Sequence, residues 1–159
     1  MSIILGIDPG TTTVGYAVIE LQSNIRTIKA IGVIHTEPRL DLSLKLLDVG
    51  RDLEELITTY KPNIAGVERL FFGTNITTAI DVAHGRGVIL HTLMRHGVPL
   101  RELNPMEVKK GICGNGRAPK VQIQNALRML FKLEDIIRPD DAADALAIAY
   151  ITSLGALHA

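Results

Sequence analysis

The spacing of apolar residues changes several times along this chain, and each change marks an element. Ile3, Ile4, Leu5 and Ile7 form a short apolar run that predicts a buried strand over 3–8, ending on Asp8. A Pro9-Gly10 turn stops it. Residues 14–21 and 25–35 read as two further strands. Their short links predict antiparallel hairpins, because parallel pairs need long crossovers. The period then lengthens. Leu42, Leu46, Val49, Leu53, Leu56 and Tyr60 lie on one stripe of a helix over 41–60, which Pro62 ends. Residues 64–68 return to a buried-strand pattern and, like the first strand, end on an acid, Glu68.

A helix over 75–96 follows, with Ile76, Ile80, Ala83, Gly87, Leu90 and Met94 on one stripe. Glycine inside a helix costs about 1 kcal/mol relative to alanine, which close approach of a neighbour can offset. The stripe has two readings: packing on the chain's own sheet, or a subunit interface. Residues 98–103 predict a fifth strand, and 104–119 read as irregular. A helix over 119–133 turns Ile123, Leu127, Leu130 and Phe131 inward. Pro139 opens a last helix over 140–154, with Asp140 and Asp141 at its positive end. The alternation predicts an α/β fold: a five-stranded mixed sheet flanked by helices.

Composition narrows the class. A chain of 159 residues, 47% hydrophobic, predicts a single domain over 1–159 with a real core. Aromatic residues make up 4% and Trp is absent, so that core is aliphatic. Cys113 is the single cysteine, which excludes an internal disulfide and gives no zinc spacing. There is no 18-residue apolar span and no basic-then-apolar N-terminus, so the expectation is a cytoplasmic protein with no membrane partner. Net charge is zero, 17 basic against 17 acidic, which alone argues against a nucleic-acid partner. Setting aside the acids nominated below leaves 13 against 17 basic residues, a formal +4, so distribution outweighs the total.

Those acids carry the candidate chemistry. If strands 3–8 and 64–68 are parallel neighbours, Asp8 and Glu68 share the sheet edge where open α/β sheets place ligands. Asp141 and Asp144 are i and i+3, on one face of a helix otherwise made of Ala, Leu and Ile. Asp140 reads as a solvated cap, and a plain helix-start charge remains an alternative for Asp141. Converging carboxylates repel one another without a cation. Oxygen-only ligands suit Mg²⁺ or Mn²⁺. Two such ions about 4 Å apart can clamp both oxygens of an in-line phosphoryl displacement, with water as nucleophile. Between 109 and 120, Lys109, Lys110, Arg117 and Lys120 occur without an acid, among Gly111, Gly114 and Gly116. The segment suits phosphate contact, or is a solvated loop. Phe71 and Phe72 stand together in an aromatic-poor chain.

Ile-Leu-Gly-Ile-Asp-Pro-Gly at 4–10, Gly66-Val67-Glu68 with Phe71 close behind, and Asp-Ala-Ala-Asp-Ala-Leu-Ala-Ile-Ala from Asp141 resemble the motifs of the RuvC-type Holliday junction resolvases. The resemblance covers nearly the whole chain, in order. It implies an RNase H-like fold of the retroviral integrase superfamily. It also implies a homodimer that nicks opposed strands of four-way junction DNA during homologous recombination and DNA repair, leaving 5′-phosphate and 3′-hydroxyl ends. It assigns Asp8, Glu68, Asp141 and Asp144 as catalytic metal ligands for Mg²⁺, Phe71 as a base-stacking aromatic, and Lys109 and Lys120 as phosphate contacts. RuvA and RuvB are the implied partners. Phe72 and Arg117 join the DNA contacts on composition alone, and helix 75–96 is the candidate dimer interface. Three rival readings differ in class. A sugar-kinase or actin-like phosphate loop at 6–12 would need two lobes that 159 residues cannot hold. A YqgF-like nuclease of structured RNA shares strand one and the fold. A non-catalytic junction-binding module would not need the full set of acids.

Overall fold

The structure, a computed structural model, describes residues 1–71 and 75–155. Phe72 lies outside the described residues. The strands are β1 (Ser2–Asp8), β2 (Thr13–Gln22), β3 (Ile25–His35), β4 (Ile64–Glu68) and β5 (Leu100–Leu103). They form one sheet in the order β3-β2-β1-β4-β5. The first three pair antiparallel, as short hairpin links require, and β4 and β5 join parallel to β1. The fold is α/β with a five-stranded mixed sheet, as the sequence predicts.

Helices cover both faces. Side chains alternate along β1, so Leu5 and Ile7 enter a core with Val49, Leu53, Ile89 and Leu93. Those partners come from α1 (Leu42–Tyr60) and α2 (Ile76–Arg95). Ile4 enters the opposite core with Ile123, Leu127 and the alanines and Leu146 of α5 (Asp140–Gly155). That helix is apolar nearly all round because it is buried nearly all round: it lies across β1, β2 and β4, with α3 (Pro105–Cys113) and α4 (Lys120–Leu130) beside it.

Two expectations need correction. The irregular stretch at 104–119 contains α3. Asn104 caps it by accepting the Met106 N–H at 2.8 Å, Pro105 occupies its first turn, and Gly114 ends it at φ +72°. The glycines here therefore shape a helix. Gly111 packs against Ile151, where a Cβ would come within 2.3 Å of Cδ1. Leu130, expected inward, is exposed, and α4 ends there. Phe131 does pack, its ring meeting Tyr150 edge-on at 6.1 Å.

The α2 stripe resolves into two. Ala79, Ile89 and Leu93, with Val82 and Arg86 half-buried between them, face the sheet. Ile76, Ile80, Ala83, Gly87 and Met94 are exposed. Of the predicted stripe only Leu90 is half-buried against the core, so for the rest the stripe is not the one that packs on the chain's own sheet. Both stripes have helical spacing, so periodicity alone could not choose between them.

Candidate metal centre

Strand alternation aims the first two acids. On β1, Ile4, Gly6 and Asp8 are two residues apart and share the α5 side. On β4, Gly66 lies under Ile148 and Thr152 of α5, so Glu68 projects to the same side. The β1–β4 pairing is parallel, with Ile7 beside Val67, and it sets Asp8 and Glu68 side by side at the strands' C-terminal edge.

The third and fourth acids arrive because α5 approaches the sheet very closely. A Cβ at Gly6 would stand 2.2 Å from the Ala145 carbonyl oxygen, and one at Gly15 would stand 2.0 Å from that of Asp141. Gly15 is the β2 residue paired with Asp8. Where β1 ends in its acid, the neighbouring strand therefore offers no side chain, and the first turn of α5 settles there. Asp8, Asp141 and Asp144 consequently bring carboxylate oxygens within 4.8 Å of one another. Glu68 is not in that tight set but borders it.

Electrostatics follow from the crowding. Burial, then the charges of Glu68, Asp144 and Asp141 and a hydrogen bond shared with Asp141, push the Asp8 carboxyl from 3.8 up to about 8. Burial and then Asp144 push Glu68 from 4.5 up to about 7, against the opposing pull of Lys109 and Lys120. Burial also raises Asp144, while Lys120 works against it. Lys120 Nζ lies 3.3 Å from Asp140 Oδ2 and 3.5 Å from Asp144 Oδ2. Burial opposes its charge, but Asp144 and Asp140 outweigh that and raise its pKa. Asp140 itself is exposed and also accepts a hydrogen bond from Gln124 Nε2 at 2.9 Å. It is the solvated helix-start acid that the sequence suggests.

The donor set fits a hard divalent cation. It is all oxygen, it converges, and it holds more negative charge than the buried site tolerates unprotonated. Two clefts meet at Glu68. One, of about 240 Å³, is lined by Glu68, Lys109, Lys120 and Asp144. The other, of about 230 Å³, is lined by Asp8, Glu68, Phe71 and Arg86. Phe71 is 57% exposed at the rim. Lys109 projects from α3 and Lys120 from the start of α4, so both flank the acids. Arg117 is exposed on the α3–α4 connection and lines neither cleft, and Lys110 is an exposed residue of α3.

Sequence reading missed Arg86 and Glu102. Arg86 Nε donates to the Glu68 carbonyl at 3.0 Å, and its Nη2 pairs with the Glu102 carboxylate. The available signal was a charged residue in an inward slot of α2, with Ala79, Val82, Ile89 and Leu93 above and below it.

Comparison with known proteins decides the class. A profile of the family described as crossover junction endodeoxyribonuclease RuvC matches residues 4–152. This chain belongs to the RuvC family. The RuvC of Petrotoga mobilis is 46% identical over 148 residues, covering 93% of this chain and 91% of its own. That of Heliobacterium modesticaldum is 46% identical over 147 residues, covering 92% and 91%. Among solved structures, Thermus thermophilus RuvC in complex with a Holliday junction substrate superposes with a TM-score of 0.90 at 28% identity, covering 98% of this chain and 95% of that one. The RuvC family consists of metal-dependent nucleases, and the acidic cluster is compatible with that chemistry. Among the described residues, no helix is long and apolar enough to cross a membrane.

Proposed function

We propose that this chain, acting as a single nuclease domain in the cytoplasm, resolves four-way DNA junctions by paired nicks in opposed strands during recombination and repair. The observation that carries the reading is the meeting of Asp8, Asp141 and Asp144 within 4.8 Å, beside Glu68, in a RuvC-family chain. Asp8, Glu68, Asp141 and Asp144 are the catalytic ligand set, and a pair of Mg²⁺ ions is the resident cofactor, with Mn²⁺ able to substitute. When bound, the ions supply Lewis-acid activation of the attacking water and of the scissile phosphate.

The chain's own residues do the rest. Asp8 and Glu68, with raised pKa values, give up protons as a cation is bound, so metal uptake is coupled to proton release. Lys109 and Lys120 flank the acids and orient a phosphate of the incoming strand. Arg117, more distant, contributes to the backbone track. Phe71 stacks on a base beside the cleavage point, with Phe72 as its neighbour, a contact of roughly 1–3 kcal/mol. A second copy docks on the exposed stripe of α2 to form the homodimer that places a site on each strand. RuvA and RuvB are the partners the family implies. The relatives act as crossover junction enzymes, and nothing in the site favours structured RNA over junction DNA.

The test is incubation with a mobile four-way DNA junction in Mg²⁺ and in EDTA. Symmetric paired nicks only in Mg²⁺, abolished by Asp8→Asn and Asp144→Asn with junction binding retained, are expected. Cleavage of structured RNA but not of the junction would overturn the reading.

A further inference from the structure

The carbonyl of Glu68 has an unusual partner, and the reason lies in the sheet. Along β4, Ala65 N donates to Pro99 O at 2.9 Å and Arg69 N donates to Leu103 O at 2.8 Å. Odd-numbered residues of β4 therefore turn their peptide groups to β5, and Glu68 turns its own toward β1. The β1–β4 ladder runs from Ile4 beside Ile64 to Ile7 beside Val67. The next donor from β1 would be the N–H of residue 9, which is proline and has none. The strand end that carries Glu68 would thus be left without its ladder bond.

Arg86 fills the gap. Its Nε donates to that carbonyl at 3.0 Å, reaching from the inward stripe of α2. Its Nη2 is held by the Glu102 carboxylate of β5, and its side chain is only 16% exposed. Next to it, Gly85 presses on the residue after Pro9: a Cβ there would lie 2.2 Å from the Gly10 carbonyl oxygen. Helix α2 therefore touches both strand ends that carry the acids, Asp8 through Gly10 and Glu68 through Arg86.

We propose that Arg86 is a positioning residue of the metal centre. It supplies the hydrogen bond that Pro9 withholds and so fixes the end of β4 from which Glu68 projects, while Glu102 holds Arg86 in register. The inference rests on the reading of Glu68 as a metal ligand.

The test uses the full chain and two readouts: Mn²⁺ affinity by calorimetry without DNA, and single-turnover junction cleavage. Arg86→Ala is expected to weaken Mn²⁺ binding and slow cleavage by roughly 10–100-fold, with junction binding in EDTA unchanged. Arg86→Lys, which keeps a single donor nitrogen, recovers part of the loss. Adding Pro9→Ala to Arg86→Ala restores a backbone N–H at residue 9 and is expected to recover part of it too, a rescue that a merely structural role would not give. Should Arg86→Ala fail to fold, Arg86→Lys and Glu102→Gln carry the test. Variants with parent-like Mn²⁺ affinity and cleavage would overturn the proposal. Glu68→Gln, run alongside, separates the two ideas: if it too keeps parent-like metal affinity, the ligand reading itself fails, whereas a Glu68→Gln defect with normal Arg86 variants sinks only the role of Arg86.

Discussion

Gly15 stands opposite Asp8 across the β1–β2 ladder, and its missing side chain is the space in which Asp141 sits. The acid on one strand and the vacancy on the next are two halves of one arrangement. Gly15→Ala would put a methyl 2.0 Å from the Asp141 carbonyl oxygen, and backbone cannot rotate away as a side chain can. We expect an overpacking cost of about 1–3 kcal/mol and a weaker metal site as Asp141 is pushed off. Thermal unfolding with a Mn²⁺ titration checks both. A stable variant with unchanged metal affinity would show that α5 has room this geometry denies.

The raised carboxyls set a pH dependence for the metal-free protein. An acid whose pKa rises on folding holds its proton more tightly when folded, so it favours folding at low pH and the advantage disappears as pH rises. Asp8 moves from 3.8 to about 8 and Glu68 from 4.5 to about 7. In EDTA, their contribution to stability should therefore fall between about pH 4 and pH 8. Asp8→Asn should flatten the slope, and excess Mg²⁺ should restore stability at pH 8. Melting curves at pH 5, 6.5 and 8 decide it; a midpoint that climbs over this range and ignores Mg²⁺ would contradict the electrostatic account.

Lys120 has three claims on it, Asp140 at 3.3 Å, Asp144 at 3.5 Å and, on the proposed reading, a DNA phosphate. Lys120→Ala should weaken junction binding evenly across sequences and lower the slope of log affinity against log salt by about 1. Asp140→Asn, by contrast, removes only an exposed partner and should leave cleavage intact. Filter binding from 50 to 200 mM salt, with and without each change, tests the pair. An unchanged slope for Lys120→Ala would remove Lys120 from the phosphate contacts.

The exposed stripe of α2 offers a test free of steric confusion. A Cβ at Gly87 meets nothing within 4 Å in the protomer, so Gly87→Glu fits the isolated fold. With Ile76 64% and Met94 61% exposed on the same helix, we expect that charge to split a dimer, giving monomers in sedimentation and loss of paired nicking. An intact dimer would move the interface elsewhere.

The legible part of this protein is the part written in short-range pattern. Apolar runs ending in Asp8 and Glu68, and acids spaced i, i+3 on an alanine-rich helix, announce a sheet edge and a helix face, and the fold brings them together. Helix α3 escaped because Lys109, Lys110 and Gly111 break its apolar period, although Asn104-Pro105 with Glu107 is a helix start. Arg86 escaped for a deeper reason. Its role depends on the parity of β4, on a proline without an N–H just past the end of β1, and on a helix that lies beside both, and none of these relations is local in sequence.

One consequence of how α5 lies across the sheet concerns time. Asp8 leaves the ribosome more than a hundred residues before Asp144, and the face of β1, β2 and β4 on which α5 lies lacks its main cover until that helix is made. A chain made only as far as α4 thus carries Asp8 and Glu68 but not the cluster that Asp141 and Asp144 complete. On the proposed reading, fragments that stop before α5 should neither bind metal at this site nor cut DNA. Their exposed apolar sheet also makes them prone to aggregate.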